Sequence, residues 1–333
     1  GQFLGGAYSL RQRLERQVPG RMEELHVPGL APSVVDSTGP VLTLVYGTAE
    51  VSGTRPVEAS TVFEAASLGK PLFAAAVLRY GGEPPLDLDR PLVEVLGRPP
   101  ASDPAAAEIT GRHCLSHSSG LTFSEEEDRR TVDFRPGSRW RYSGLGYAVL
   151  QQAVEALWGQ PLDELARTSV TGTLGMGDSS YLPPAQLSRL AQGHDREGRP
   201  LPRSVWSAAS AASSLHTTVG DYGRFLSLML SQLAEGDGVA EEMIRPQVPV
   251  EEELGLFWGL GWAVAREGNE TLFLHWGSNP GFKSLAVGSV DQGLAFIVLT
   301  NGDNGLELAT SLVPMVLGRD YAFLDFFMLH PDD

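Results

Sequence analysis

The sequence is poor in three features that narrow the class of a protein: cysteine, long apolar runs and positive charge. Its single cysteine, Cys114, excludes a disulfide within the chain. No apolar run reaches the roughly 18 residues that a membrane-spanning helix needs. The formal net charge of −16 argues against nucleic acid or an anionic membrane as the main partner, because binding to phosphate groups requires a cationic face.

The length and the hydrophobic content of the chain are sufficient for a large folded core. The chain has 333 residues, of which 42% are hydrophobic, and this predicts one large domain or two intertwined ones. The opening stretch GQFLGGAYSLRQRLERQVPG lacks the basic-then-apolar pattern of a secretory signal. We therefore expect either a cytoplasmic protein or a mature exported form whose signal has been removed. The leading glycine is compatible with such trimming.

Helical and strand patterns follow one another in an order that indicates a mixed fold. Residues 7–26 have helical spacing, and a β-rich hairpin with its turn at 37–40 follows. Four strand-like segments between 260 and 300 are separated by tight turns, which is typical of an antiparallel meander. Further helices are predicted at 67–80, 144–158, 218–234 and 304–317.

This order predicts an α+β fold of two parts. Residues 1–80 together with 205–333 are expected to form one antiparallel sheet, flanked by the N- and C-terminal helices. In residues 81–204, short helical segments are split by loops rich in proline and glycine. They are expected to form an inserted, mostly helical lobe, with the active site between the two parts.

A serine and a lysine stand three residues apart at the head of the apolar stretch FEAASLGKPLFAAAVLRY. On a helix, Ser67 and Lys70 project from one face, one turn apart. A serine hydroxyl becomes a nucleophile when a neighbouring base takes its proton, and burial lowers the pKa of a lysine amine far enough to do so. Alone, this spacing also occurs in many helices that have no catalytic role.

Tyr142 stands in the stretch RYSGLGY, directly before the helix predicted at 144–158. A tyrosine at the tip of a loop serves as a proton shuttle when a cation holds its pKa down. The alternative is a packing or surface aromatic. The position of Tyr142, taken by itself, does not distinguish between these two roles.

The stretch HWGSNPGF ends one predicted strand and leads into the next. Gly277 has no side chain, so a ligand can approach the backbone there. A backbone N–H at this strand edge, together with that of Ser67, would form an oxyanion hole. The alternative is a hairpin turn that uses glycine for its backbone freedom.

In this order the three features resemble the signature of the serine β-lactamase and penicillin-binding-protein superfamily, and within it the class C-like branch of esterases, D-amino-acid peptidases and acyltransferases. The signature is serine-x-x-lysine, then tyrosine-x-asparagine, then lysine or histidine-x-glycine. The matching segments are Ser67 to Lys70, Tyr142 to Gly144, and His275 to Gly277. Supporting stretches, among them CLSHSSGL, PGSRWRYS, ASSLHTTVGDYGRF and NPGFKS, extend the resemblance from about residue 60 to 302.

The resemblance implies a role for each of these residues, in a β-lactamase/transpeptidase-like fold that needs no cofactor and no metal. Ser67 is expected to be the acylated nucleophile, Lys70 its general base and Tyr142 the second proton-transfer group. The residues expected to bind the substrate or its oxyanion are Ser278, His275, Gly277, Gly144 and Trp276.

Two positions depart from the family signature. Gly144 stands where an asparagine amide ordinarily holds the acylamino group of a β-lactam, so efficient β-lactam hydrolysis is not expected. His275 stands where lysine is common, and a histidine supplies a weaker fixed positive charge for a substrate carboxylate at neutral pH. No acidic residue stands out in the sequence as a base for deacylation.

The sequence therefore predicts a serine hydrolase that acts through an acyl-enzyme on small esters or D-amino-acid amides. A β-lactamase or D-Ala-D-Ala carboxypeptidase is the alternative among enzymes, and a catalytically silent binding protein of the same fold is the alternative outside them. The retained Ser67, Lys70 and Tyr142 favour an enzyme. The expected partner is a small-molecule ester, amide or β-lactam, bound by a monomer or a small homo-oligomer.

Overall fold

A computed structural model describes residues 3–80, 82–236 and 238–331. The strands are β1 (Gly29–Asp36), β2 (Gly39–Thr43), β3 (Tyr46–Glu50), β4 (Arg55–Pro56), β5 (Phe63–Ala66), β6 (Leu121–Ser124), β7 (Arg129–Val132), β8 (Leu215–Thr217), β9 (Val248–Glu251), β10 (Leu256–Trp258), β11 (Ala263–Glu267), β12 (Glu270–Asn279), β13 (Phe282–Ser289) and β14 (Leu294–Thr300). The helices are α1 (Phe3–Leu25), α2 (Gly69–Arg79), α3 (Val93–Leu96), α4 (Gly111–Leu115), α5 (Gly144–Trp158), α6 (Leu162–Ala166), α7 (Val219–Glu235), α8 (Gly238–Ile244), α9 (Gly305–Ser311) and α10 (Val313–Leu317).

One large antiparallel sheet joins the two ends of the chain. Its strand order is β4-β3-β1-β14-β13-β12-β11-β10-β9, and β2 also pairs with β1. The early strand β1 lies beside the late strand β14, with Leu30 opposite Thr300. The predicted sharing of one sheet by the two ends is confirmed, and so is the meander from β11 to β14.

Both faces of this sheet are covered, because its central strands bury side chains on both sides. Every residue of β14 is buried, and successive residues enter different cores. Phe296 and Val298 pack in the core that contains α1, α9 and α10. Ile297 and Leu299 pack in the core that contains α2 and α7. The helix that follows Ser67 therefore lies against the face opposite the N- and C-terminal helices.

After β4 the chain leaves the large sheet: β5 pairs with β8 in a separate sheet, and the chain between α2 and β8 forms α3 to α6 and the small hairpin β6–β7. Phe73 of α2, Tyr147 of α5 and Leu165 of α6 are buried in one apolar cluster with Phe273 of the large sheet. The helical segment and the sheet thus share a core. The division into residues 1–80 with 205–333 and residues 81–204 stays a prediction. Within the described residues, no helix is both long and apolar enough to cross a membrane.

Several helix bounds agree with the sequence patterns, but α1 begins at Phe3, before the start predicted at residue 7, and continues through Pro19. Helix α5 coincides with the predicted 144–158. The helix predicted at 304–317 is divided at Leu312, two residues before Pro314, because proline lacks the N–H that a continuous helix needs there. The acidic run 125–128 forms the exposed turn between β6 and β7. The sequence patterns did not indicate that these two strands form a hairpin.

The buried side chain of Asn301 joins the end of β14 to two neighbouring segments. Its Oδ1 accepts the Gly29 N–H at 2.7 Å, and its Nδ2 donates to the carbonyls of Thr48 and Ala49 at 3.1 and 3.0 Å.

Asn301→Ala removes these three bonds, and we expect it to lower the free energy of unfolding by about 3 kcal/mol in urea denaturation. The same change at the exposed Asn269 should alter it by less than about 0.5 kcal/mol, and equal effects would contradict this account.

Candidate active site

Ser67 lies in a sharp turn between β5 and α2. Ala66, the last residue of β5, has a left-handed backbone with φ of 53°, which is unusual for a residue that carries a side chain. A hydrogen bond from the Leu68 N–H to the Ala65 carbonyl, at 3.0 Å, closes the turn. Because α2 begins only at Gly69, Ser67 stands just ahead of the helix, whereas the sequence predicted a helix from residue 67.

The amine of Lys70 is buried beside the hydroxyl of Ser67. Lys70 Nζ lies 3.0 Å from Ser67 Oγ and donates to the Ala212 carbonyl at 2.6 Å. Lys70 is 2% exposed, and this burial lowers its pKa from 10.5 to about 7. A large fraction of the amine is therefore neutral near pH 7, in contact with the hydroxyl whose proton it would take.

The ring of Tyr142 forms a second wall around this amine. Lys70 Nζ lies 4.6 Å from the centre of the ring. The Tyr142 hydroxyl is buried and, among the described residues, has no hydrogen-bond partner of ordinary geometry. Burial raises the pKa of Tyr142 well above its ordinary value, and the nearby Ser67 side chain lowers this pKa only in part. The phenol is therefore protonated at neutral pH.

His117 holds the backbone on both sides of Tyr142. Its carbonyl accepts the Arg141 N–H at 2.8 Å, and its Nδ1 accepts the Ser143 N–H at 3.0 Å. The two rings of His117 and Tyr142 have centroids 4.2 Å apart. Burial lowers the pKa of His117 well below its usual value, so the ring is neutral and carries its proton on Nε2. His117 thus fixes the position of Tyr142 without sharing its proton.

The third motif lies on β12, and its histidine is uncharged. His275 is fully buried, and this burial, with a further contribution from the charge of Lys70, lowers its pKa from 6.5 to about 3. The His275 ring stacks on Trp276 with centroids 5.0 Å apart. His275 is therefore neutral at pH 7 and offers no fixed positive charge to a substrate carboxylate. Trp276 is 4% exposed and packs in the core that contains α1.

Gly277 allows β12 to lie directly against β5. A methyl group at this position would overlap the carbonyl oxygen of Ala65 and the hydroxyl of Ser284. Strand packing therefore explains the lack of a side chain here. The close approach of a ligand to Gly277 stays a prediction.

The Ser278 N–H points to an edge of β12 that β11 does not cover. Strand β11 pairs with β12 only as far as Leu274. The Trp276 N–H lies on the uncovered edge, where it donates to His275 Nδ1 at 2.8 Å. Backbone N–H groups two residues apart on a strand point to the same edge, so that of Ser278 points there too. The Ser67 N–H has no backbone acceptor among the described residues.

Gly144 is the first residue of α5 and lies opposite Ala212. Ser143 caps the helix, and its Oγ accepts the Gly146 N–H at 3.0 Å. A Cβ at position 144 would lie 3.7 Å from the Cβ of Ala212, which is an ordinary van der Waals contact. The backbone at position 144 therefore leaves room for a Cβ atom.

The structure brings Ser67 and Lys70 together, as their spacing predicted, and places Tyr142 beside them, as the family resemblance implied. Sequence patterns did not single out Ala212, whose carbonyl also accepts the Ser67 hydroxyl at 3.3 Å, or the positioning contact of His117. Both residues lie in stretches that carry the family resemblance, ASSLHTTVGDYGRF and CLSHSSGL. However, the residue type does not show which backbone carbonyl will accept a hydrogen bond. Nor does the presence of a histidine show which backbone groups it will bind.

A half-buried serine and a half-buried tyrosine around a buried lysine, beside the edge of an antiparallel sheet, place the protein in the class of serine hydrolases with the β-lactamase/transpeptidase-like α+β fold. The sequence profile of the Beta-lactamase family matches residues 14–313. The chain belongs to this family, and the predicted membership and fold class are confirmed.

Its relatives include an esterase and penicillin-binding proteins. It is 32% identical to esterase EstB of Burkholderia gladioli over 60% of this chain and 58% of the esterase, less than two thirds of that protein. It is 29% identical to penicillin-binding protein 4 of Amycolatopsis lactamdurans over 89% of this chain and 86% of that protein. The octameric penicillin-binding protein homologue from Pyrococcus abyssi has a similar fold, with a TM-score of 0.78 and 22% identity over 93% of this chain and 78% of that one.

The contacts of His117 predict separate effects on stability and turnover. His117→Ala removes the acceptor of the Ser143 N–H and the ring that packs on Tyr142. We expect measurements to show a loss of about 2 kcal/mol or more in the free energy of unfolding, and a hydrolase assay to show a fall in kcat of about tenfold or more because Tyr142 loses its position.

His194 is the control, because it is equally buried and its Nδ1 also bonds a backbone group, the Asn301 carbonyl at 3.0 Å. His194→Ala should lower stability but keep kcat within about twofold of the wild type. Equal losses of kcat in the two variants would mean that His117 does not act through Tyr142.

Proposed function

We propose that the protein hydrolyses small esters or D-amino-acid amides through an acyl-enzyme formed on Ser67. The observation that carries the proposal is the distance of 3.0 Å between Ser67 Oγ and Lys70 Nζ, an amine whose pKa is lowered to about 7. A base with a pKa near the working pH is effective at removing a hydroxyl proton. The similarity to esterase EstB supports an ester as substrate.

Acylation transfers a proton and forms one bond. Neutral Lys70 takes the Ser67 proton while Oγ attacks the carbonyl carbon of the substrate. The N–H groups of Ser67 and Ser278 stabilise the negative charge that develops on the carbonyl oxygen. The bond to the leaving group then breaks, and protonated Tyr142 supplies the proton that the leaving group needs. The Lys70 ammonium returns a proton to Tyr142, which leaves both groups as they began.

Deacylation repeats these steps with water as the nucleophile. Water attacks the acyl carbonyl and gives a proton to neutral Lys70, and the Lys70 ammonium passes this proton to Ser67 Oγ as the bond between Oγ and the acyl carbon breaks. In the described part of the chain, the hydrogen bonds of Lys70 go to Ser67 and the Ala212 carbonyl, and none goes to a carboxylate. Lys70 is therefore assigned the role of base in both half-reactions.

A β-lactamase or D-Ala-D-Ala carboxypeptidase is the second candidate. It is favoured by the similarity to penicillin-binding protein 4 over most of both chains. Gly144, which lacks the amide of the family signature, and His275, which is neutral at pH 7, weigh against it. Rapid hydrolysis of nitrocefin, with esters turned over poorly, would favour this second candidate.

Covalent labelling tests the nucleophile. The protein is incubated separately with a fluorophosphonate, a penicillin and a p-nitrophenyl ester, and adducts are located by mass spectrometry. We expect a fluorophosphonate adduct on Ser67 and turnover of the ester, and Ser67→Ala should reduce turnover by about 10³-fold or more. Ser227→Ala, at a buried serine of α7, is the matched control and should retain both. Turnover that survives in Ser67→Ala, or a wild type that forms no adduct with any reagent, would contradict the proposal.

The pKa of Lys70 predicts how acylation depends on pH. The reactive form is neutral, so kcat/KM should fall as the pH drops below about 7, approaching tenfold per pH unit, and should level off above it. His117 and His275 have pKa values lowered away from this range, so neither explains such a midpoint.

Two variants assign the midpoint. Lys70→Arg should remove activity at every pH, because a guanidinium does not give up its proton. Lys283→Arg, at the only other lysine of the sequence, should leave the midpoint unchanged. A kcat/KM that stays constant between about pH 5.5 and 9 would contradict the role of Lys70 as base.

A further inference from the structure

The two proposed oxyanion donors belong to different sheets. The Ser67 N–H follows β5, which pairs with β8, whereas the Ser278 N–H lies on β12 of the large sheet. An oxyanion hole requires its two N–H groups at a defined spacing. In the described residues no backbone ladder joins β5 to β12, so other contacts must set that spacing.

One such contact is the hydrogen bond between Asn279 and Glu64. Asn279 Nδ2 donates to Glu64 Oε1 at 2.7 Å and to the Ser213 carbonyl at 3.0 Å. Asn279 directly follows Ser278, and Glu64 lies on β5, three residues before Ser67. The bond therefore joins the two segments that carry the donors.

The carboxyl group of Glu64 is buried, which makes this contact unusual. Glu64 is 3% exposed. Burial raises its pKa, and hydrogen bonds from the side chains of Asn279 and Ser204 lower this pKa only in part. Burying a carboxylate is costly unless it is well hydrogen-bonded, and such a group is a weak source of stability. These two facts point to a role for Glu64 in geometry.

The main chain of Asn279 is held from the opposite side. Lys283 Nζ donates to the Asn279 carbonyl at 2.9 Å and to Asp303 Oδ1 at 3.2 Å. The same Asp303 oxygen accepts the Gly281 N–H at 2.6 Å. Because its backbone is anchored, Asn279 cannot adjust freely to a shift of Glu64, and such a shift is passed on to Ser278.

The residue before Ser278 also lies against β5. Gly277, which precedes it, lies so close to the Ala65 carbonyl that no side chain fits between them. Ser278 therefore stands between two contacts, and both reach β5 immediately before Ser67. A contact on each side defines both the distance and the tilt of β12 relative to the turn.

We infer that Glu64 and Asn279 are positioning residues that hold the Ser67 and Ser278 N–H groups at the spacing of an oxyanion hole. The inference rests on the proposed function, because it assigns these N–H groups to the oxyanion. Neither side chain touches the reacting atoms. Their effect is expected in the stabilisation of the tetrahedral state and not in the binding of the substrate.

A double-mutant cycle with a transition-state analogue tests the inference. The variants are Glu64→Ala, Asn279→Ala and the double variant, each assayed for kcat, KM, melting temperature and the inhibition constant of phenylboronic acid. This reagent forms a tetrahedral adduct with a serine hydroxyl, so an oxygen of the adduct would occupy the oxyanion hole. We expect each single change to lower kcat about 10- to 100-fold and to raise the inhibition constant by a similar factor, with KM changed by less than about threefold.

The kcat of the double variant should be no more than about twofold below that of the less active single variant, because both changes break the same bond. Glu64→Gln keeps an acceptor oxygen for the Asn279 amide and should retain kcat within about threefold of the wild type. This conservative variant also serves as a control for misfolding of the alanine variants, since it alters the fewest contacts.

Glu270→Ala is the matched control, because Glu270 lies at the opposite end of β12, where it accepts the Tyr321 hydroxyl at 2.8 Å. It should lower the melting temperature but leave kcat and the inhibition constant within about twofold. Losses of kcat that multiply in the double variant, or that occur without a change in boronic acid inhibition, would overturn the inference. A wild type that neither turns over esters nor binds the boronic acid would instead refute the proposed function, and the inference would fall with it.

Discussion

The proposed acylation of Ser67 depends on one physical condition, the burial of the Lys70 amine. In water this amine is charged at neutral pH and cannot accept the proton of a hydroxyl. The apolar surroundings that lower its pKa come from the fold: residues 69–77 of α2 are buried throughout, and the ring of Tyr142 lies over the amine. The apolar core around α2 is therefore also the source of the basicity of the site.

The same burial shifts the pKa values of the two proposed proton carriers of the site in opposite directions. It favours the neutral forms of both, so the pKa of Lys70 falls to about 7 while that of Tyr142 rises. One group is thus able to accept a proton and the other able to donate one at the same pH. No carboxylate is required for this division of roles, which agrees with the lack of an acidic candidate in the sequence.

Signals that are local in the chain made much of the fold and of the site predictable. Apolar periodicity predicted α5, and the order of the three motifs, through the family resemblance, predicted Ser67, Lys70 and Tyr142 as site residues. The start of α2 was misplaced because the left-handed backbone of Ala66 depends on the strands that pack around it. The bond between Glu64 and Asn279 spans 215 positions of the sequence, so no local pattern could indicate it. The neutral state of His275 follows from burial by distant residues and was likewise beyond the sequence.

The way the chain uses its basic residues has a practical consequence for chemical work. Lysine occurs only twice, and both residues are buried, Lys70 at 2% and Lys283 at 8% exposure. The other side chains with a permanent positive charge are arginines, which do not react as amines do. The folded protein therefore offers amine-selective reagents no exposed lysine. Attachment of such a reagent to either lysine would report that the interior around the site had opened.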